Sequence, residues 1–452
     1  MIEESHTNVL SSVSRREVLG AAAGVAIGST LAGATAAKLA GFAPVSHRET
    51  LRVGLIGCGG RGTGAAIQAI SADPNNELYA MADLWQDRID GRLKGITGEI
   101  ERRVKTREAK PGAVEQIKVD PSRRFTGFDG YKKVIDSCDV VLLTTPPVFR
   151  PMHLRAAVEA GKHIFCEKPV AVDAPGIRHV LESARIAKEK NLSLMSGFCW
   201  RHQLQVAETF EKLLAGGIGN VHTVQSTYNT SGWNPPVERQ PGWSDTEFQL
   251  RNWQYFTALS GDHIVEQAIH AIDWIAWAFG DVPPISCVGV GGRMTRPETP
   301  ASGNVWDSFG ITYNFDGGRR GYHMCRHWPN TPGDNTAYIL GSKGACTMDP
   351  WAAKHVIEGE TPWSGLMPSN DMYQAEHDTL FKAIRSNNRF DDSQRMTNTT
   401  MMAIMARMAS YTGQIVTWDQ AMGSVEDLNP GNWGWNDRPD AIVAIPGQTK
   451  LM

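Results

Sequence analysis

A short apolar run that ends in clustered glycines, residues 51–62, constrains this chain more than any other stretch. It reads LRVGLIGCGGRG, in which Gly57, Gly59 and Gly62 have the G-x-G-x-x-G spacing. The apolar residues suit a buried parallel strand, and glycines at this spacing allow a tight turn, close approach of a pyrophosphate and close packing of the next helix. The stretch therefore predicts the first strand and helix of a dinucleotide-binding domain. A glycine-rich loop without a ligand is the alternative.

The chain beyond the glycines continues this pattern. Residues 63–71 indicate a helix, and residues 77–82 indicate a second strand that leads to Asp83, about twenty residues past the last glycine. A carboxylate there accepts hydrogen bonds from the adenosine ribose and disfavours a 2′-phosphate, which favours NAD over NADP. Two alternatives stay open: Asp83 could cap the next helix, and Arg88 and Arg92 would suit NADP.

Two further apolar strands, residues 139–144 and 163–166, end in polar and proline residues. Ligands of parallel sheets bind at the carboxyl ends of strands, so these ends belong to the predicted site. Lys168 is the candidate for acid–base chemistry because it follows a buried strand among apolar neighbours; a solvated surface lysine is the alternative. The residues at these ends are Thr145, Pro146, Glu167, Lys168 and Pro169.

Several segments together resemble the Gfo/Idh/MocA family, which includes glucose-fructose oxidoreductase and inositol dehydrogenase. The segments are residues 57–62 (GCGGRG), 144–147 (TTPP), 160–169 (AGKHIFCEKP), 197–201 (GFCWR), 339–344 (ILGSKG), 376–384 (EHDTLFKAI) and 443–447 (VAIPG). The resemblance implies an α/β chain with an NAD(P)-binding Rossmann domain at residues 51–200. It implies an α+β substrate domain at residues 201–452, with an open, mainly antiparallel sheet that mediates homo-oligomer formation and a C-terminal tail that packs back.

The same resemblance places Lys168 beside the nicotinamide and the substrate, as a catalytic residue. The residues expected to bind the cofactor are Gly57, Cys58, Gly59, Gly60, Arg61, Gly62, Asp83, Thr145, Pro146, Glu167, Lys168 and Arg201.

Residues 262–274 (DHIVEQAIHAIDW) predict one helix with a polar face. At 100° per residue, the side chains of His263, Glu266, His270 and Asp273 fall within a sector of about 80°. This face carries no lysine or arginine, which favours a pocket lining over a solvent-facing stripe.

The family resemblance implies an Asp and a His four residues apart on this helix. His270 fits the histidine, Glu266 replaces the aspartate, and Ala268 replaces a glycine between them. The longer carboxylate leaves the substrate geometry open. We predict that His270 is the leading acid–base for the substrate hydroxyl, with Lys168 beside it and Glu266 orienting or polarising one of them.

Other candidates have competing interpretations. His263, Glu266 and His270 could ligate a divalent metal, but hydride chemistry with Lys168 needs none, so we expect no metal. A second set of substrate candidates is His263, Arg326 and His377, of which His377 could equally be a packed helix histidine. Tryptophans can stack on sugar rings, although we expect packing roles for most of Trp233, Trp243 and Trp253.

Composition and the N-terminal residues indicate which partners and which cellular location to expect. The formal net charge is −3 without a basic block, which argues against nucleic acid, and the seven scattered cysteines form neither a disulfide framework nor a zinc pattern. Arg15 and Arg16 precede a Gly/Ala-rich run, which predicts a twin-arginine export signal at residues 1–37, followed by a linker or arm at 38–50. A membrane anchor or an amphipathic start is the alternative. We expect a periplasmic or otherwise exported protein that uses the twin-arginine export machinery and has no stable membrane span.

These predictions together lead to a hypothesis for the reaction. The main hypothesis is hydride transfer between a tightly bound nicotinamide, NAD or NADP, and a sugar, polyol or sugar derivative. A redox-neutral glycoside hydrolase or lyase that acts through a transient keto-sugar is the alternative, with Glu266 and His263 able to supply its additional base. The presence of Lys168, His270 and the glycines argues against a third class, a non-catalytic sugar-binding protein.

Overall fold

The first half of the chain is a Rossmann fold, as predicted. In the computed structural model, which describes residues 49–351, 354–365, 370–429, 431–438 and 440–452, a six-stranded parallel sheet has the order β3-β2-β1-β4-β5-β6. Its strands are β1 (Leu51–Ile56), β2 (Asn76–Asp83), β3 (Arg124–Thr126), β4 (Val140–Leu143), β5 (His163–Cys166) and β6 (Leu194–Ser196). Its helices are α1 (Gly60–Ala72), α2 (Gln86–Lys105), α3 (Gly130–Ser137), α4 (Arg150–Glu159) and α5 (Ala174–Glu189).

The predicted export signal and residues 38–48 of the predicted linker lie outside the described residues. The described residues belong to one compact unit. Within them, no helix is both long and apolar enough to cross a bilayer.

The second half contains a nine-stranded sheet of order β14-β13-β12-β11-β7-β10-β9-β8-β15. Its neighbouring strands are antiparallel except for β7 and β10, which confirms the mainly antiparallel sheet. The strands are β7 (Val221–Thr230), β8 (Ser286–Gly292), β9 (Ser308–Asn314), β10 (Arg320–His327), β11 (Ala337–Gly341), β12 (Gly344–Asp349), β13 (Lys354–Gly359), β14 (Trp363–Gly365) and β15 (Val416–Thr417). The helices are α6 (Leu204–Lys212), α7 (Asp245–Arg251), α8 (Thr257–Ser260), α9 (His263–Glu266), α10 (Ile269–Ala278), α11 (Met372–Arg385), α12 (Ser393–Thr412) and α13 (Trp418–Gly423).

The two faces of this sheet differ. One face packs on α10 and the methionine-rich α12, which is buried along most of its length. The other face presents alternate apolar side chains to solvent, among them Val290 (71% exposed), Met324 (47%) and Tyr338 (43%). Side chains alternate across a strand, so these residues of β8, β10 and β11 project from the same face of the sheet.

Two helices of the second half pack back on the first. Helix α11 lies on α1, where Gln374 donates a hydrogen bond to the Gln68 carbonyl (3.0 Å). Helix α12 lies on α5, and its buried Arg407 donates to the Val172 carbonyl (2.7 Å). The two halves are therefore held together by the packing of these helices.

The single helix predicted over residues 262–274 is two helices, α9 and α10. At the break, the His270 amide lies 3.5 Å from the Gln267 carbonyl and does not bond to the Glu266 carbonyl four residues back. The Glu266 carbonyl is thus available to the other half, and Lys168 Nζ donates a hydrogen bond to it. The break also divides the predicted polar face, because His263 and Glu266 belong to α9, whereas His270 and Asp273 belong to α10.

Buried histidines should make the fold sensitive to mild acid. Burial lowers the pKa of His153, His323 and His377 to about 3 each, whereas an unfolded histidine titrates near 6.5. Below pH 6.5 the unfolded chain therefore binds protons that the folded chain does not bind. The stability is complete above this pH and is lost as the pH falls towards 3, by about 4 kcal/mol between pH 7 and pH 5.5 for the three residues.

Thermal unfolding measured at these two pH values checks this expectation. Replacing His377 with phenylalanine should reduce the pH-dependent loss by about a third. The exposed His222 is the matched control, and its replacement with glutamine should change nothing. Equal thermal midpoints of the wild type at both pH values would contradict the prediction.

Candidate active site

A cavity of about 630 Å³ lies between the two halves, at the carboxyl ends of the parallel strands. This volume lies within the usual range for small-molecule and cofactor sites. The residues predicted for the site that line it are Gly57, Gly59, Gly60, Arg61, Asp83, Thr145, Pro146, Glu167, Lys168 and Glu266. The cavity thus joins the glycine turn to the catalytic candidates of both halves.

The glycine turn has the shape of a dinucleotide cradle. Gly57 has φ +97°, and a Cβ on Gly62 would lie 2.1 Å from the Gly57 carbonyl oxygen. By contrast, a Cβ on Gly59 or Gly60 would meet nothing within 4 Å. The turn is thus closed on its protein side and open on its cavity side, where the first amides of α1 favour an anion. The residues present therefore fit a dinucleotide pyrophosphate.

Asp83 ends β2 at the rim of the cavity. Its Oδ2 accepts a hydrogen bond from the Cys58 amide (2.7 Å) and its Oδ1 accepts one from the Trp85 amide (3.3 Å). Burial raises the pKa of Asp83, although Arg88 acts in the opposite direction. Cys58 itself is fully buried, so it contributes its amide and not its thiol. The carboxylate is thereby fixed where a ribose hydroxyl would reach it.

Arg61 connects the glycine turn to the Glu-Lys-Pro strand end. Its Nε donates to Glu167 Oε1 (2.8 Å), and its NH2 lies 3.8 Å from Oε1 of the buried Glu376 on α11. Burial would raise the pKa of Glu167, but the charges of Arg61 and Lys168 outweigh it and hold that pKa below its ordinary value. Burial raises the pKa of Glu376, which favours its neutral form.

Lys168 and Glu266 meet inside the cavity. Lys168 Nζ donates to the Glu266 main-chain carbonyl and lies 3.8 Å from Glu266 Oε1. Both side chains are largely buried, at 12% and 15% exposure. An amine and a carboxylate from different halves therefore converge on one point of the cavity wall, an arrangement that can move protons to and from a bound hydroxyl.

His270 stands behind this pair. It does not line the cavity: its ring packs on Trp200 (5.1 Å between centroids) and its Nδ1 is buried without a partner. Burial lowers the pKa of His270 well below its ordinary value, and the charge of Lys168 lowers it further. His270 is therefore a neutral imidazole within electrostatic reach of Lys168.

Four predicted residues lie away from the cavity. Arg201 is buried and paired with Asp273 (2.6 Å and 2.8 Å), so its guanidinium is not directed at a cofactor. His377 packs on Phe165 (4.2 Å between centroids). The remaining two are His263, fully buried against His327, and Arg326, which donates to the Pro332 carbonyl (3.0 Å).

The three residues of the alternative metal site do not form such a site in the structure. In the part of the chain that the structure describes, no three His, Cys, Asp or Glu side chains are placed to hold one metal ion. His263 packs on His327, Glu266 lines the cavity, and His270 packs on Trp200, so the three side chains have different surroundings.

Several cavity residues were not predicted. The first turn of α4 contributes Arg150 and the buried His153, whose Nδ1 lies 3.3 Å from Thr145 Oγ1. The spacing TPPVFRPMH after an apolar strand was the available signal, because it places both residues just beyond a strand end. The other unpredicted lining residues include Trp85, Phe128, Tyr131, Phe149, Arg251 and Trp253. Trp253 lines the cavity, whereas Trp233 packs against His327 (4.7 Å between centroids).

Comparison with known proteins agrees with this architecture. Residues 51–198 match the oxidoreductase family with an NAD-binding Rossmann fold, and residues 207–347 match the GFO/IDH/MocA C-terminal domain. Together these stretches cover more than half of the chain. The protein therefore belongs to the Gfo/Idh/MocA family of oxidoreductases, and its first half is an NAD-binding domain.

Individual relatives are more distant. The chain is 26% identical over 217 residues to levoglucosan dehydrogenase of Pseudarthrobacter phenanthrenivorans, covering 46% of this chain and 50% of that protein. It is 23% identical over 214 residues to 2,7-anhydro-N-acetylneuraminate hydratase of Escherichia coli, covering 47% and 51%. The chain thus spans about half the length of these curated relatives. A levoglucosan dehydrogenase structure with NADH and levoglucosan has a TM-score of 0.63 at 17% identity, over 81% of this chain and 99% of that one, which shows the same fold.

Proposed function

We propose that this protein is an oxidoreductase that transfers a hydride between a resident nicotinamide dinucleotide, NAD or NADP, and a hydroxyl-bearing carbon of a sugar, polyol or sugar derivative. The observation that carries the proposal is that the glycine turn, Asp83, Lys168 and Glu266 all line the same cavity. Relatives named for levoglucosan and inositol support the class of substrate.

Each group of the protein that lines the cavity has its own role in the proposed hydride transfer. The amides at the start of α1 would hold the pyrophosphate, and Asp83 would hold the adenosine ribose. A bound dinucleotide would supply hydride-transfer chemistry at the substrate carbon. Lys168, as the neutral amine, takes the proton from the substrate hydroxyl as the carbonyl forms, and Glu266 holds the Lys168 amine towards that hydroxyl. The buried, neutral His270 lies outside the cavity, within electrostatic reach of Lys168.

A second candidate is a redox-neutral reaction, and the carboxylate of Glu266 in the cavity is the observation that favours it. Oxidation at one carbon makes the proton on the neighbouring carbon more acidic. Glu266 would remove that proton while the group on the next carbon leaves with the proton that Lys168 took from the hydroxyl. Water would then add to the double bond, its proton going to Lys168 while Glu266 returns its own proton to the carbon. The ketone would finally be reduced again as Lys168 protonates its oxygen. The hydratase among the relatives fits this scheme.

One experiment separates the two reactions. The purified protein is denatured to identify any released nicotinamide, and the intact protein is then mixed with free sugars or with a panel of glycosides. Accumulation of bound NADH with free sugars supports the oxidoreductase. Cleaved glycoside without net cofactor reduction supports the redox-neutral reaction. If no nicotinamide is released and none can be loaded, both proposals are wrong.

We also propose that the protein is exported with its cofactor and works as a homo-oligomer. Arg15 and Arg16 before the Gly/Ala-rich run support export by the twin-arginine route. Free NAD is scarce outside the cytoplasm, so a tightly held cofactor suits that location. The apolar face of β8, β10 and β11 supports assembly. Replacing both arginines with lysine should retain the protein in the cytoplasm, and export of this variant would contradict the first proposal. Light scattering of the mature protein should give at least twice the mass of one mature chain, which is itself below the 49.5 kDa of the full chain. A monomer would contradict the second proposal.

A further inference from the structure

The wall of the cavity next to Asp83 is built by both halves of the chain. Trp85 and Phe128 come from the first half, and Leu250, Arg251 and Trp253 come from the second. Asp83 marks the adenosine side of a Rossmann site, so this wall lies where the adenosine would sit. The Rossmann domain therefore does not enclose the adenosine side alone.

Arg251, the last residue of α7, bridges the halves at this wall. Its guanidinium carbon lies 4.5 Å from the ring centroid of Trp85 and 4.6 Å from that of Trp243. Glu247, one turn earlier on α7, fixes it by accepting from Nε (2.9 Å) and NH2 (2.8 Å). Arginine at these distances from two indole rings is attracted to both. Trp85, Arg251 and Trp243 form one contact across the domain boundary, called the latch below.

A C-terminal segment braces the latch from outside. Trp435 lies 6.0 Å from Trp85 and 4.9 Å from Phe128, between ring centroids. The segment is tied to the first turn of α7, because the Asn436 carbonyl accepts from the Thr246 amide (3.2 Å) and hydroxyl (2.9 Å). The same short helix is thus held at its start by the C-terminal segment and at its end by Trp85.

We propose that this latch retains the dinucleotide, by closing the adenosine side of the cavity with residues of the second half. The inference rests on the proposed nicotinamide chemistry. For the adenosine to leave past this wall, the Arg251 contact between Trp85 and Trp243 must open. A cofactor that is regenerated in place benefits from such slow release, whereas a cofactor exchanged at each turnover would be hindered by it.

The release rate of NADH tests the latch. Purified protein is loaded with NADH, mixed with excess NAD, and followed by the fluorescence of bound NADH. The Arg251→Gln and Trp243→Ala variants should each release NADH about tenfold faster than the wild type, since each removes one side of the cation–π contact. Arg319→Gln is the matched control: Arg319 lies 5.0 Å from the Phe279 ring and donates to the Asp316 carbonyl (2.9 Å), away from the cavity. It should release NADH at the wild-type rate.

A variant at a partly exposed residue tests the latch without replacing a buried side chain, so that misfolding does not explain its result. Trp435 is 46% exposed, so Trp435→Ala should fold normally and still release NADH faster, by a smaller factor than the latch variants. Wild-type release rates in all three variants would overturn the latch while leaving the nicotinamide proposal intact. A wild-type protein that binds no NADH would overturn both.

Discussion

Replacing Lys168 with methionine should reduce kcat by about a thousandfold while the protein still binds NADH. General acid–base catalysis by one positioned group contributes about 10²–10⁴-fold to a rate. Methionine keeps most of the length and apolar contacts of the lysine stem but cannot exchange a proton. The glycine turn and Asp83 keep their own hydrogen bonds, so NADH binding should change by less than about threefold.

Two measurements make this prediction sharp. NADH fluorescence titration reports the binding, and turnover of the best substrate in the sugar panel reports kcat. Lys343, which is exposed and paired with Glu360 (3.1 Å), is the matched control, and Lys343→Met should keep full turnover. Wild-type turnover by the Lys168→Met protein would show that Lys168 is not the catalytic base and would leave Glu266 as the candidate for that role.

The sequence correctly predicted that residues at the ends of the parallel strands lie close together. Gly57, Asp83 and Lys168 each follow an apolar run, and the carboxyl ends of parallel strands meet at one edge of a sheet. Their convergence could be inferred without knowledge of any contact, because it depends on chain order and strand direction alone. The cavity of the structure contains all three.

The second half was harder to predict because its geometry depends on contacts between distant segments. Helical periodicity assumes continuous backbone hydrogen bonds, and it failed at Glu266, whose carbonyl bonds to Lys168 in place of the His270 amide. Arg201 looked like a cofactor ligand, yet its partner Asp273 lies 72 residues away in sequence. Local spacing carries no information on such pairings.

The same limit applies to Arg251. Its role follows from two tryptophans on either side, of which one belongs to the loop after β2 and the other to the segment before α7. Neither neighbour could be assigned from residue spacing. Strand order therefore indicated the nucleotide half of the site, whereas the contacts of Arg251 with Trp85 and Trp243 could be found only from the three-dimensional packing.

Adding one methyl group at Gly62 should abolish tight dinucleotide binding. The Cβ of an alanine there would lie 2.1 Å from the Gly57 carbonyl oxygen and 2.6 Å from Thr144 Oγ1, and the first of these atoms is backbone that cannot rotate away. The turn must open, at a cost of about 1–3 kcal/mol in the free energy of unfolding. Displacement of the α1 amides should weaken NADH binding by at least about a hundredfold.

Alanine substitutions at two other glycines distinguish an effect on the stability of the fold from an effect on NADH binding. Gly59→Ala meets no protein atom within 4 Å, so the thermal midpoint of the cofactor-free protein should stay unchanged; its methyl group faces the cavity, however, and NADH binding should still weaken. Gly91→Ala, in the middle of α2 with open space around its Cβ, should leave binding unchanged and add up to about 1 kcal/mol of stability. Thermal unfolding and NADH titration of the three variants check this order. Equal binding by Gly59→Ala and the wild type would mean that the open side of the glycine turn does not face the pyrophosphate, because a methyl group cannot share the space of a ligand in contact with that backbone.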